Sequence, residues 1–157
     1  MPDFSRLTEN WRKWGPSIGG ERVSASTECV DCDALFDSSD YSVHLRWDGS
    51  WWVVDTVDER NERRSGAALF SSFELVEKYL SWDWATTADS RLASGVLGTD
   101  LAKQGFSPDV EVTRLERGYE VCSNSGCAIL SIVNATIFSH LMSKTLDEIE
   151  RMARTVP

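Results

Sequence analysis

The spacing of hydrophobic positions changes several times along the chain, and each change marks an element. Phe4, Leu7, Trp11 and Trp14 recur every three or four residues, which puts them on one face of a helix, with Gly15-Pro16 expected to end it. Between Arg22 and Phe36 the pattern is irregular, and short apolar stretches around Val23 and at 34–36 read as two short strands. Strict alternation then begins. Tyr41, Val43, Leu45 and Trp47 alternate with Ser42, His44 and Arg46, Asp48-Gly49 supplies a turn dipeptide, and 51–57 returns, which predicts a hairpin. The charged run 58–64 reads as an exposed loop.

Ser71-x-x-Glu74 has the form of a capping box, so a helix is expected to start there and to pack through Phe73, Val76 and Leu80 with Leu75 and Tyr79 beside them. Trp82-Asp83-Trp84 is expected to close it, and a further helical turn or two around 85–93 leads to Ser94-Gly95-Val96-Leu97-Gly98. Two glycines around two apolar residues suggest an adaptable loop. A second hairpin is expected from 110–116 through Arg117-Gly118 to 119–123, and a third strand over 127–133 completes a meander. Asn134 is expected to cap a helix carrying Ile137, Phe138, Leu141 and Met142, and Thr145-x-x-Glu148 is a second capping box before Ile149 and Met152. Strands in two groups, with helices between and after them, define an α+β class in which hairpins and a meander build an antiparallel sheet covered by helices. No linker divides the chain, so 1–157 reads as one domain.

Composition changes this picture little, but charge narrows it. Seven Trp and six Phe supply apolar area for a core. A net charge of -9 and a pI near 4.7 disfavour nucleic acid and anionic membranes, which reward clustered Lys and Arg. No apolar run approaches the roughly 20 residues of a membrane span, and the first residues lack the apolar stretch of a signal peptide, so a cytoplasmic protein is expected. A basic protein partner fits the charge better, although acidity also serves solubility alone.

Candidate chemistry is sparse. Cys29-Val30-Asp31-Cys32 has metal-knuckle spacing, and Cys122 and Cys127 would complete four ligands, but the second pair has a four-residue gap at a strand turn and no metal is expected. Four cysteines are few for a chain of 157 residues, so free thiols are the simpler expectation, with disulfides left open. His44 lies on the polar phase of a strand and His140 on a helix beside Ser139, and neither forms a nucleophile system in the sequence. Carboxylate pairs such as Asp31 with Asp33 and Asp55 with Asp58 leave a hydrolase open, while phosphate loops, dinucleotide fingerprints, HExxH and GxSxG are missing. No cofactor is expected. The residues marked for partner binding are Ser94, Gly95, Val96, Leu97 and Gly98, as a protruding apolar finger, and Asp31, Asp33 and Asp37, as electrostatic contacts.

The segment 71–80 (SSFELVEKYL), the Gly105-Phe106 hairpin and Ser139-His140-Leu141 resemble the immunity proteins of bacterial polymorphic toxin systems, within them the immunity factors of the mycobacterial tuberculosis necrotizing toxin type. The resemblance spans most of the chain and rests on overall pattern. It implies a non-catalytic antitoxin that binds the catalytic domain of a cognate toxin, an NAD(P) glycohydrolase, one to one and blocks its active-site cleft. Two other classes stay open: a small acidic secretion chaperone, and a carboxylate-based hydrolase marked by a ligand-sized pocket where an Asp or Glu faces a second carboxylate.

Overall fold

A computed structural model describes residues 2–154. Its elements, in chain order, are α1 (Ser5–Gly19), β1 (Ser24–Ser26), β2 (Ala34–Asp37), β3 (Ser42–Trp47), β4 (Trp52–Val57), β5 (Arg63–Phe70), α2 (Phe73–Ala88), α3 (Ser90–Ala93), α4 (Thr99–Ala102), β6 (Glu111–Arg114), β7 (Tyr119–Ser123), β8 (Gly126–Leu130), α5 (Ile132–Leu141) and α6 (Leu146–Arg154). The eight strands form one sheet in the order β1-β2-β3-β4-β5-β8-β7-β6, and every pairing is antiparallel. The fold is α+β. Two consecutive antiparallel runs, β1 to β5 and β6 to β8, meet where Leu69 and Phe70 pair with Ile129 and Ala128.

The register explains the core. Phe36 stands opposite Val43, Ala34 opposite Leu45, Leu45 opposite Val54, Val54 opposite Ala68, Trp52 opposite Phe70, and Phe70 opposite Ala128, so one continuous row of apolar side chains crosses the sheet on a single face. Because side chains alternate faces along a strand, this row is the helix-covered face, and all of these residues join the core. Helix α2 supplies Leu75, Val76, Tyr79, Leu80 and Trp84 to the same core, and α1 supplies Leu7 and Trp11. Trp84 lies between Trp11 and Phe36, with ring centroids 5.0 and 5.2 Å away, so tryptophan and phenylalanine join α1, α2 and β2.

The hairpin of β3 and β4 turns at Asp48-Gly49 as expected, with Gly49 at φ +101 and the Asp48 carboxylate accepting the Ser50 and Trp51 N–H groups. The second capping box is also present: Thr145 N–H donates to Glu148 and Glu148 N–H donates to Thr145. Other expectations shift. Helix α1 runs through Gly15-Pro16 to Gly19, and it packs so close to Val23 at Gly15 that a Cβ there would stand 3.1 Å from the Val23 side chain. Helix α2 starts one residue later than expected, with Ser72 as its cap, and Ser71 instead accepts the Cys127 N–H of β8. Trp82, Asp83 and Trp84 lie inside α2, and Asn134 lies inside α5, whose N-cap is Ser131. The charged run ends early, since Arg63 and Arg64 already belong to β5.

Candidate functional site

Along α2, Tyr79, Leu80, Asp83, Trp84 and Thr87 follow a helical stripe. Opposite them, Val54 and Thr56 lie on the helix-covered face of β4. Between β4 and β5 the pairing steps from Val54 with Ala68 to Thr56 with Arg64, so β5 uses two extra residues and bends there, with Gly66 at φ +65 inside the irregularity. Helix and sheet diverge at this point. The gap is a cleft of about 520 Å³, closed by Tyr41, Asp40 and Glu59 on one side and by Ser131 and Asn134 at the start of α5 on the other.

Three carboxylates, Asp40, Glu59 and Asp83, line the cleft, and Arg64 is the cation among its lining residues. The Asp83 carboxylate has no hydrogen bond or ion pair among the described residues, and burial pushes it up to about 6. Tyr41 and Tyr79 face it. Their hydroxyls are raised, first by burial and then by the Asp83 charge, with Arg64 opposing the rise. Trp84 adds a second unmet demand, because its buried indole N–H has no partner among the described residues. Of the two, the Asp83 carboxylate is the group that solvent still reaches, whereas Trp84 is fully buried. Such a carboxylate binds a complementary polar guest, and a carboxyl titrating near neutrality is also suited to proton transfer.

A shallower hollow shares Asp83, Thr87 and Asn134 with the cleft and is lined further by Leu97, Gly98, Val133 and Ile137. The segment 94–98 therefore borders the site, but not as a two-residue apolar tip. Leu97 is fully buried, its carbonyl accepts the Trp82 indole N–H at 2.5 Å, and Gly98 is packed so closely that a Cβ would meet the Ala93 carbonyl at 1.8 Å. Val96 alone of the pair is exposed, as are Ile132 and Val133 at the start of α5.

The acidic residues marked in the sequence lie elsewhere and have local partners. Asp31 pairs with Arg63 at 2.9 Å, Asp33 accepts the Trp47 N–H at 2.7 Å, and Asp37 accepts the Ser38 N–H at 3.0 Å. Asp55, on the open face of the sheet, is buried and takes Arg46, Arg63 and the Gly66 N–H. Burial raises its carboxyl, but hydrogen bonds from Arg46, Gly66 and Arg63 outweigh this and hold it below the usual range. His140 is tied to the Gly105 carbonyl at 2.6 Å. In place of the free thiols expected, Cys29–Cys32 and Cys122–Cys127 are both disulfides. The two pairs stand in opposite halves of the sheet, so no four-cysteine set forms.

Sequence reading missed Asp83 and Trp84 because it placed them at a helix end. Asp83 stands three residues after Leu80 and four after Tyr79, a charge on an apolar stripe. That mismatch was the available signal.

Fold and cleft define a one-sided α+β sheet protein with an acidic, partly desolvated concavity. Neither a family model nor a curated protein matches the chain. Among solved structures it is similar to Rv3902c from M. tuberculosis, with a TM-score of 0.67 and 13% identity over 90% of this chain and 85% of that one. At that identity the likeness shows the fold. No helix among the described residues is long and apolar enough to cross a membrane.

Proposed function

We propose that the chain is an immunity protein, a non-catalytic antitoxin that binds the catalytic domain of a cognate NAD(P) glycohydrolase toxin one to one and occludes its active-site cleft. The observation that carries the reading is Asp83, a carboxylate without a partner among the described residues, in an acidic cleft beside exposed Val133 and Ile132. Desolvated anchors ringed by apolar contacts are the usual high-energy spots of protein interfaces. A dinucleotide-binding pocket carries basic groups for the pyrophosphate, and an arginine or lysine from its rim would satisfy Asp83. The net charge of -9 favours such an encounter. The resemblance in the sequence points the same way, and the fold is shared with a mycobacterial protein.

An equimolar amount of the purified chain is expected to abolish NAD hydrolysis by the toxin domain. Full activity at several-fold excess overturns the proposal. A second reading has one observation in its favour: Asp40, Glu59 and Asp83 line the same cleft, the arrangement expected of a carboxylate hydrolase. Hydrolysis of glycoside or ester substrates by the chain alone, lost in Asp83→Asn, would decide for it.

A further inference from the structure

The sheet face away from the helices carries a second group of chemistry-bearing side chains, unrelated to the cleft. The loop between β1 and β2 brings Cys29, Asp31 and Cys32 over His44 of β3, and one ligand atom from each of the four lies within 4.8 Å of the others. The Cys29 Sγ stands 3.4 Å from Asp31 Oδ1, Cys32 Sγ 3.9 Å from His44 Nδ1, and His44 Nδ1 3.8 Å from Asp31 Oδ1. Ligands bonded to tetrahedral zinc at its ordinary distances lie roughly 3.3 to 3.8 Å from one another. The separations that involve Asp31 and His44 lie at or close to that frame, and the two sulfurs, bonded to each other here, reach it only once the disulfide is reduced.

The surroundings match it as well. His44 Nε2 is 3.1 Å from the Ser42 hydroxyl, which leaves Nδ1 as the lone-pair nitrogen when Nε2–H donates, and Nδ1 is the atom facing the sulfurs. The outer oxygen of Asp31 is held by Arg63 at 2.9 Å, so Oδ1 is turned toward the group. Polar contacts hold this loop, through the Asp31–Arg63 pair and the Asp33 N–H on the Leu45 carbonyl of β3, while apolar packing does not. Thr27 and Glu28 are exposed and Val30 is fully exposed, so no apolar side chain over 27–31 ties it to the core. The Cys29–Cys32 bond closes only a local ring and does not attach the loop to β3.

We infer that the dithiol form of this loop is a zinc site, with Cys29, Cys32 and His44 as ligands and Asp31 in the fourth position. Two low-molecular-weight thiols reduce the disulfide: its S–S bond breaks, two cysteine thiols form, and the donors are oxidised to their own disulfide. Binding of Zn²⁺ then forms two Zn–S bonds and releases the two thiol protons to solvent. Bound metal fastens the loop to β3, which the disulfide does not.

The full-length chain, reduced with a phosphine and freed of metal, is titrated anaerobically with Co²⁺ and then with Zn²⁺. One equivalent of Co²⁺ is expected to give tetrahedral d–d bands and a thiolate-to-metal band that Zn²⁺ removes, whereas the unreduced chain gives neither. Cys29→Ser, Cys32→Ser and His44→Ala each abolish the bands, Ser42→Ala weakens affinity about 10-fold, and Cys122→Ser with Cys127→Ser changes nothing. Absent bands in the reduced protein, or bands indifferent to His44→Ala, overturn the site. Should the variants misfold, alkylation of the reduced natural chain decides: zinc must shield Cys29 and Cys32 and leave Cys122 and Cys127 reactive, and equal labelling with and without zinc refutes the proposal.

Discussion

Asp83→Asn is expected to make the protein more stable and a poorer binder, and the two effects test the cleft from opposite sides. In the folded chain the carboxyl titrates at about 6, against 3.8 for an unhindered aspartate, and the cause is burial alone. At about 1.4 kcal/mol per unit, ionising it in place costs roughly 3 kcal/mol, reduced to about 2 by water reaching the open side of the cleft. The sign follows from proton binding. Between pH 3.8 and 6 the folded state holds more of this proton than the unfolded state, so stability is fully present below 3.8 and falls as pH rises through 6. Asparagine removes the charge but keeps a polar group, so about 1 to 2 kcal/mol should be recovered at pH 7, a rise of roughly 2 to 8 °C in melting temperature. Urea unfolding of both proteins from pH 4 to pH 8 measures it. The two curves should converge toward the acid end, diverge between pH 4 and 6 and run parallel above it; a difference that is constant over the whole range, or a less stable variant, refutes a desolvated Asp83. If the partner supplies a cation to this carboxylate, toxin inhibition by the variant should weaken in parallel, by about 10-fold or more.

Other consequences are local. Val96→Asp should leave urea stability within about 0.5 kcal/mol and weaken inhibition, whereas Leu97→Ala, at a fully buried position, should cost about 2 to 5 kcal/mol and so report on the core; equal stability of the two variants would contradict this placement. Asp55→Ala leaves Arg46 and Arg63 without their shared carboxylate and should cost about 3 kcal/mol by denaturant titration at pH 7. Because Asp55 titrates below 3.8, its contribution is held above that value and lost as pH falls through the lowered pKa, so the natural chain should lose more stability in acid than the variant. Gly98→Ala drives a Cβ into the Ala93 carbonyl and should destabilise by more than an ordinary helix-cap change, read as a lowered melting temperature.

What could be read from the sequence was whatever local pattern decides. The β3–β4 hairpin was legible because alternation and Asp48-Gly49 agree, and the β6 to β8 meander because its turns fall at Arg117-Gly118 and before Gly126, although its third strand ends at Leu130 and the expected strand residues 132–133 open α5; Gly118, at φ +88, sits where a Cβ would lie 2.6 Å from the Leu130 carbonyl. Strand β5 was not legible. Arg63 and Arg64 resemble a loop in one dimension, and they become strand residues because Arg63 bonds Asp55 while Arg64 pairs with Thr56. The same limit hid the cleft, since its width comes from the shift in β4–β5 pairing and its charge from three separate segments. Asp83 was visible only as an inconsistency on the apolar stripe of α2, and a half-buried charge with no partner among the described residues is a cost that folding does not require. In the proposed complex a cation from the partner would meet this carboxylate, so Asp83, more than the exposed acids of the β1–β2 loop, is the residue whose substitution tests binding.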